Sequence, residues 1–197
     1  MSDARPCSFH ARRGLLGLLG LLALSALAGP AQASRESIAF ARRLREGGCA
    51  VLIRHTQTEP GTGDPPGFRL DECRTQRLLS LAGQEDARAI GRWFKARRLA
   101  PREVFSSQWC RCKDTATLAF GRHTEWPALN STFGESSRQP EQTRALRERL
   151  QTIPAGEFEV WVTHQVNMTD LSNEYPSPGE AFLVGRDGRV QGRLDFH

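Results

Sequence analysis

Cys49-Ala50-Val51-Leu52-Ile53-Arg54-His55-Thr56 is an apolar run that ends abruptly in a guanidinium and an imidazole. The apolar part reads as a buried strand, and a charged pair straight after it is poor core material. The C-terminal edge of a sheet is, however, where α/β proteins assemble their sites. Two further segments repeat the design. Val104-Phe105-Ser106-Ser107 reads as a short strand, followed by a helix from about Gln108 to Phe120 with Arg111 in its opening turn. Phe158-Glu159-Val160-Trp161-Val162-Thr163 runs largely apolar and then delivers His164. If the three strands are parallel neighbours joined by right-handed helical crossovers, their C-terminal ends share one edge, and Arg54, His55, Arg111 and His164 converge. Two guanidinium forks and two imidazoles around one small space form an oxyanion trap suited to a phosphoryl group. Each residue alone has a plainer reading. A strand-end histidine is often a satisfied interior group, and in a chain with 27 Lys and Arg most arginines are solvated. Their ordered recurrence at strand ends is what marks them as a site.

These residues resemble the histidine phosphatase superfamily, also called the phosphoglycerate mutase-like fold. The likeness rests on Arg54-His55 after a strand, on Ser106-Ser107-Gln108-Trp109-Cys110-Arg111-Cys112-Lys113-Asp114-Thr115-Ala116, and on the strand ending Thr163-His164, in that order. It implies a three-layer α/β sandwich, a mostly parallel central sheet with helices on both faces. It implies that His55 is the nucleophile that becomes phosphorylated, that Arg54, Arg111 and His164 hold the phosphoryl oxygens, and that no metal or cofactor is required. The expected activity is a phosphomonoester hydrolase. A noncatalytic phosphate- or phosphosugar-binding protein of the same fold and a phosphomutase are the alternatives.

Elementary chemistry agrees with that assignment. An imidazole attacks phosphorus only when neutral, and neighbouring arginines disfavour the imidazolium. Fixed cations stabilise the phosphoryl oxygens as charge redistributes, and covalent capture on nitrogen splits hydrolysis into two easier steps. A leaving alkoxide also needs a proton. Some members of the superfamily carry an aspartate directly after the second histidine, but here Gln165 stands in that place. Other members use a glutamate in the segment after the helix that carries the second arginine, which points to Glu135, with Glu59 and Glu180 as competitors. Thr56 replaces the glycine many members carry, and its methyl and hydroxyl either narrow the pocket or donate a hydrogen bond.

The N-terminus reads as an export signal. Arg5, Arg12 and Arg13 precede an apolar stretch from Leu15 to Ala28, and Ala31-Gln32-Ala33 has the small-x-small form of a cleavage site. Residues 1–33 are therefore expected to be removed, leaving a single domain over 34–197, periplasmic or secreted. The apolar stretch is shorter than the ~20 residues that span a bilayer, so no stable membrane anchor is expected. Arg12-Arg13 permits the twin-arginine route beside the general secretory one. The net charge of +5 falls by two once the leader and its Arg5, Arg12, Arg13 and Asp3 are gone. No basic stripe with interleaved aromatics is present, so nucleic acid is not an expected partner. The expected partner of a monomeric enzyme is a small phosphorylated substrate. Since some exported relatives act on cell-envelope phosphate groups, an envelope phosphosugar is one candidate.

Four cysteines follow the leader. Cys49 opens its strand and so lies about 16 Å from the site edge, at ~3.3 Å per residue. Cys73 belongs to the segment leaving that edge and Cys110 flanks Arg111, which predicts a Cys73–Cys110 disulfide in an exported protein. Cys112 shares a helical face with Ala116 and Ala119 and reads as core. A metal or thiol module on Cys110-Arg111-Cys112 with His123 lacks a second cysteine pair.

Elsewhere, Ser34 to Glu46 reads as a helix stopped by Gly47-Gly48. A second helix is capped by Ser80 and carries Ala87, Ile90 and Phe94 on one stripe. Another runs from about Pro140 to Leu150, and Ala181–Val184 with Val190 across Asp187-Gly188 reads as a closing hairpin. Glu59 to Leu70, dense in Pro and Gly, is expected to overhang the site and either to shape substrate choice through Asp64, Phe68 and Arg69 or to serve only as a connector.

Overall fold

A computed structural model describes Met1 and residues 30–196, with no side-chain detail before Arg35. The expected leader lies almost wholly outside the described residues. Its last residues, Pro30 to Ala33, open helix α1 (Pro30–Glu46). That helix begins four residues before the expected Ser34 and ends where expected, because Gly47 turns the chain at φ +68°. A Cβ at Gly47 would also overlap the backbone of Gly156 and Glu157. The site-bearing strand follows as β1 (Cys49–Arg54).

The chain continues through α2 (Leu81–Ala96), β2 (Glu103–Ser106), α3 (Cys110–Phe120), β3 (Thr124–Glu125), α4 (Gln139–Thr152), β4 (Phe158–Thr163), α5 (Gln165–Ser172), β5 (Ala181–Gly185) and β6 (Val190–Leu194). The sheet order is β3-β2-β4-β1-β5-β6. β1, β2, β3 and β4 are parallel, whereas β5 runs antiparallel to β1 and pairs with β6 as the expected hairpin. Strand alternation sorts the core into two layers. Cys49, Val51 and Ile53 pack with Leu44 of α1, Ile90 and Phe94 of α2 and Ala116 of α3. Ala50 and Leu52 face the other way, toward Leu146 and Leu150 of α4 and Met168 and Leu171 of α5. Each such large aliphatic group contributes roughly 1.5–3 kcal/mol by leaving water. The result is the expected α/β sandwich with helices on both faces.

Register sets the site. Arg54 stands beside Thr163 and Ser106 beside Val162, so the next residues of three strands leave the sheet together. The ladder persists one step further, with the His55 amide donating to Thr163 O at 2.9 Å and the Ser107 amide to Val162 O at 2.9 Å. Ser80 caps α2 by accepting from Gly83 N at 3.1 Å. A Cβ at Gly83 would overlap the carbonyl oxygen of Gln57, so the helix presses its first turn directly against the segment leaving His55.

Candidate active site

The three strand ends meet in a cavity of about 530 Å³ at the C-terminal edge of the sheet, lined by Arg54, His55, Arg111 and His164. The four residues named from sequence are therefore brought together. The His55 and His164 ring centroids lie 5.4 Å apart.

His55 is buried, and its Nδ1 lies 2.9 Å from Thr56 O. A carbonyl only accepts, so Nδ1 carries the proton and the Nε2 lone pair is left free. Burial, then the charge of Arg111, pushes the imidazole down to about 3 against the pull of the Thr56 carbonyl. The ring is neutral throughout the physiological range. His164 is held well below its ordinary value for the same first two reasons. Its Nδ1 lies 3.4 Å from Arg111 Nη2 and its Nε2 2.9 Å from Ser107 Oγ. With the guanidinium as obligate donor, the proton resides on Nε2 and points to Ser107.

Arg111 is fixed from the other side. Its Nη1 donates to Asp64 Oδ1 at 2.8 Å and Oδ2 at 3.1 Å, between side chains only 5% and 6% exposed. Asp64 also accepts from Trp109 Nε1 at 2.9 Å and the Arg77 amide at 3.0 Å. Burial raises this carboxyl, but the Arg77 amide, Arg111 and Trp109 together hold it below the usual carboxylate range. Arg54 donates to Pro176 O at 2.9 Å. Thr56, expected to narrow the pocket or to donate, turns away from the cavity. Its amide and hydroxyl each lie 3.2 Å from Thr115 Oγ1, which in turn donates to Arg111 O at 2.7 Å, tying β1 to α3.

Arg77 was not legible in the sequence. It lines the same cavity, and the crowding is visible in its lowered basicity and that of Arg54, due first to burial and then to neighbouring guanidinium charge. Among the described residues, the Nε atoms of Arg54, Arg77 and Arg111 are all buried without a hydrogen-bond partner. Three guanidinium groups gathered on one cavity wall suit an oxyanion. The sequence signal was weak, since Arg77 sits in irregular chain three residues before a helix cap.

None of the three expected general acids, Glu135, Glu59 and Glu180, lines the cavity. Glu135 is exposed, its carboxylate near Ser137 Oγ and 3.7 Å from Arg138 Nε, while its neighbours Phe133 and Gly134 reach the cavity wall. Glu59 is exposed, and Glu180 is engaged by Arg193 at 2.7 Å and the Ser177 amide at 2.8 Å. Of the overhanging segment, Asp64 and Phe68 line the cavity, whereas Arg69 turns outward to Asp71 at 3.0 Å.

The Cys73–Cys110 disulfide is present, its Cα atoms 5.6 Å apart, and Cys49 and Cys112 are free and buried. Burial pushes the Cys112 thiol up to about 12, so it is inert beside His164. Among the described residues no group of three His, Cys, Asp or Glu side chains is arranged to hold a metal ion. The disulfide staples the segment carrying Asp64 to the start of α3. Closing a loop of 37 residues restricts the unfolded chain by about 4 kcal/mol. Reduction, or the paired Cys73→Ser/Cys110→Ser change, is expected to lower the melting temperature and kcat/KM together. Identical melting curves with and without reductant would contradict this.

Two buried asparagines brace the segments around the site. Asn130 and Asn167 are 4% and 3% exposed, and Asn167 Nδ2 donates to Asn130 O at 2.8 Å beneath the site. Asn130 Oδ1 accepts from Ser107 Oγ at 3.3 Å and the Gln108 amide at 2.9 Å, fixing the segment that leads into α3.

No protein-family model and no curated protein matches the chain. Solved structures do. The protein histidine phosphatase SixA complexed with tungstate superposes with a TM-score of 0.53 at 12% identity, over 75% of this chain and 97% of that one. SixA from Agrobacterium tumefaciens gives 0.52 at 18%, over 75% and 97%. A phosphoglycerate mutase from Thermus thermophilus gives 0.53 at 19%, over 75% and 98%. At such identities it is the architecture alone that is shared: this chain has a phosphoglycerate mutase-like α/β fold.

Proposed function

We propose that this protein is an exported, metal-independent phosphomonoester hydrolase that works through a phosphohistidine intermediate on His55. The observation that carries this reading is the hydrogen bond of His55: Nδ1 is committed to Thr56 O, which leaves a neutral Nε2 lone pair on a residue that lines the same cavity as Arg54, Arg77 and Arg111. Substrate phosphate would take its hydrogen bonds from Arg54, Arg77 and Arg111, aligning phosphorus with Nε2. His164, with its proton directed to Ser107, holds Arg111 at Nδ1 and orders the far wall. The guanidinium charges stabilise the transferring group without reorganising. Water then attacks phosphorus from the side the leaving group vacated.

The exported location rests on the leader-like residues 1–33 and on the disulfide, which persists in oxidising compartments. Among the described residues no helix is long and apolar enough to cross a membrane. The substrate is a small phosphorylated molecule, an envelope phosphosugar remaining among the candidates, bound by a monomer.

Purified protein incubated with a generic aryl phosphate in EDTA, beside His55→Ala, tests the reading. Chelator-resistant hydrolysis lost in the variant supports it. Phosphate binding without turnover in either protein identifies a binder instead.

The histidines also set an acid limit on stability. Both rings have native pKa values below the ~6.5 of a free imidazole, so below that pH the unfolded chain binds protons that the native state does not. Their contribution is complete above ~6.5 and is expected to fall as pH drops from there toward about 3, where His55 begins to charge in place. Urea midpoints measured from pH 7 to 4 should decline, and His55→Gln should flatten the slope. A slope unchanged in that variant would mean His55 is not buried neutral.

A further inference from the structure

The cavity is far larger than a phosphoryl group. At about 530 Å³ it falls in the range of sites that enclose a whole small molecule, so most of it surrounds whatever bears the phosphate. Aromatic rings border that space. Trp109 lies 5.8 Å from the Phe68 ring and 5.3 Å from His164. Phe133, which also lines the cavity, is 65% exposed and Phe68 is 37% exposed. A Cβ at Gly63 would stand 3.6 Å from Phe133 Cε1, so this phenyl ring leans across the mouth toward the loop that carries Asp64. Open phenyl rings at a cavity mouth are surface that a ligand's own flat face covers favourably, by burial and by ring contact.

Charge narrows the ligand further. Among the described residues the cavity wall carries three guanidinium groups, Arg54, Arg77 and Arg111, and one carboxylate, Asp64. The excess of two positive charges balances one phosphomonoester dianion and leaves none for a second anionic group. Asp64 is saturated by Arg111, Trp109 and the Arg77 amide, and Glu59, Glu135 and Glu180 lie off the wall. Among the described residues lining the cavity, no carboxyl is placed to protonate a departing oxygen. An alkoxide, whose conjugate acid is near water's ~15.7, needs that proton, whereas a phenolate near ~10 departs without it.

We infer that the phosphate is carried directly on an uncharged aromatic ring, which stacks among Phe68, Trp109 and Phe133 while the guanidinium groups hold the phosphoryl oxygens. The inference rests on the phosphatase reading above and adds the substrate class. The His55 Nε2 lone pair forms the N–P bond as the P–O bond to the ring breaks, and the bonding electrons leave on the phenolate oxygen, which takes a proton from bulk water. A water oxygen then bonds phosphorus as the P–N bond breaks, releasing inorganic phosphate and its proton to solvent and restoring neutral His55. The sum is aryl phosphate plus water giving a phenol and inorganic phosphate.

The ring can belong to a small molecule or to a phosphotyrosine side chain, and the test separates the two. kcat and KM are measured on full-length protein and on Phe133→Ala and Glu135→Gln variants, with phenyl phosphate, a short phosphotyrosyl peptide, glycerol phosphate and a hexose phosphate. Aryl esters are expected to exceed alkyl esters at least 100-fold in kcat/KM. Phe133→Ala should raise KM about tenfold, the equivalent of one ring contact, for aryl esters and leave alkyl KM unchanged. Glu135→Gln should alter neither. Use of the peptide as well as phenyl phosphate supports a protein-borne ring, and its exclusion supports a small molecule. Alkyl turnover within tenfold of aryl, or turnover that depends on Glu135, overturns the inference while leaving the phosphatase reading intact. Absence of hydrolysis with every ester removes both.

Discussion

Replacing His55 by glutamine is expected to reduce kcat for a phosphate ester by at least about 10⁴-fold, the scale on which loss of a covalent nucleophile reads out. The side chain supplies the one neutral nitrogen lone pair directed at the cavity, because Nδ1 is committed to Thr56 O. Glutamine keeps a polar group of comparable size but no basic nitrogen. The guanidinium groups of Arg54, Arg77 and Arg111 remain in place, so inorganic phosphate should still bind within a few-fold of the parent. Steady-state kinetics paired with phosphate titration checks both halves. A variant that retains a tenth of the parent rate would mean that water, rather than His55, attacks phosphorus.

Arg111→Ala carries the second large effect, and it acts on two properties at once. Removing the fork that bridges Asp64 and His164 withdraws charge from the transferring phosphoryl group, at an expected cost of about 10²–10³ in kcat/KM. It also strands Asp64, a carboxylate 6% exposed, and breaking a buried pair by removing one member costs about 3–5 kcal/mol. The double variant Arg111→Ala/Asp64→Asn separates the two. Stability should recover in large part, since a neutral amide replaces the unpaired charge, whereas activity should not. Denaturant midpoints and kcat/KM for the four members of the cycle give the answer. Recovery of activity along with stability would show that Arg111 serves the fold alone.

The residues that could be read in the sequence are those whose positions the sheet dictates. An apolar strand that ends in Arg54-His55, another that delivers His164, and a helix opening around Arg111 fix direction and edge before any contact is known. The unbridged Cys49 and the Cys73–Cys110 pair followed from the same placement, since distance along a strand is distance from the site, whereas Cys112 was read as core from its helical face. Asp64 was visible only as an acidic residue in a Pro- and Gly-rich segment. Its role as the partner of Arg111 depends on how that segment folds back, and no periodicity encodes this. Arg77 was hidden among 27 basic residues, for its significance comes from sharing burial with two other guanidinium groups. Glu135 was placed by likeness to chains whose rim bears the acid there. Here the backbone brings Phe133 and Gly134 to the wall and turns Glu135 outward. The two-residue β3 and the short α5 escaped notice because neither carries enough pattern to distinguish it from loop.

Trapping the covalent intermediate tests the central claim most directly. Protein mixed with an aryl phosphate, quenched rapidly in alkali and digested, should yield phosphate on the peptide containing Arg54-His55, located on His55, released by mild acid and absent from His55→Gln. Phosphate found on any other residue, or turnover with no phosphorylated peptide under conditions where breakdown is slowed, would contradict the account.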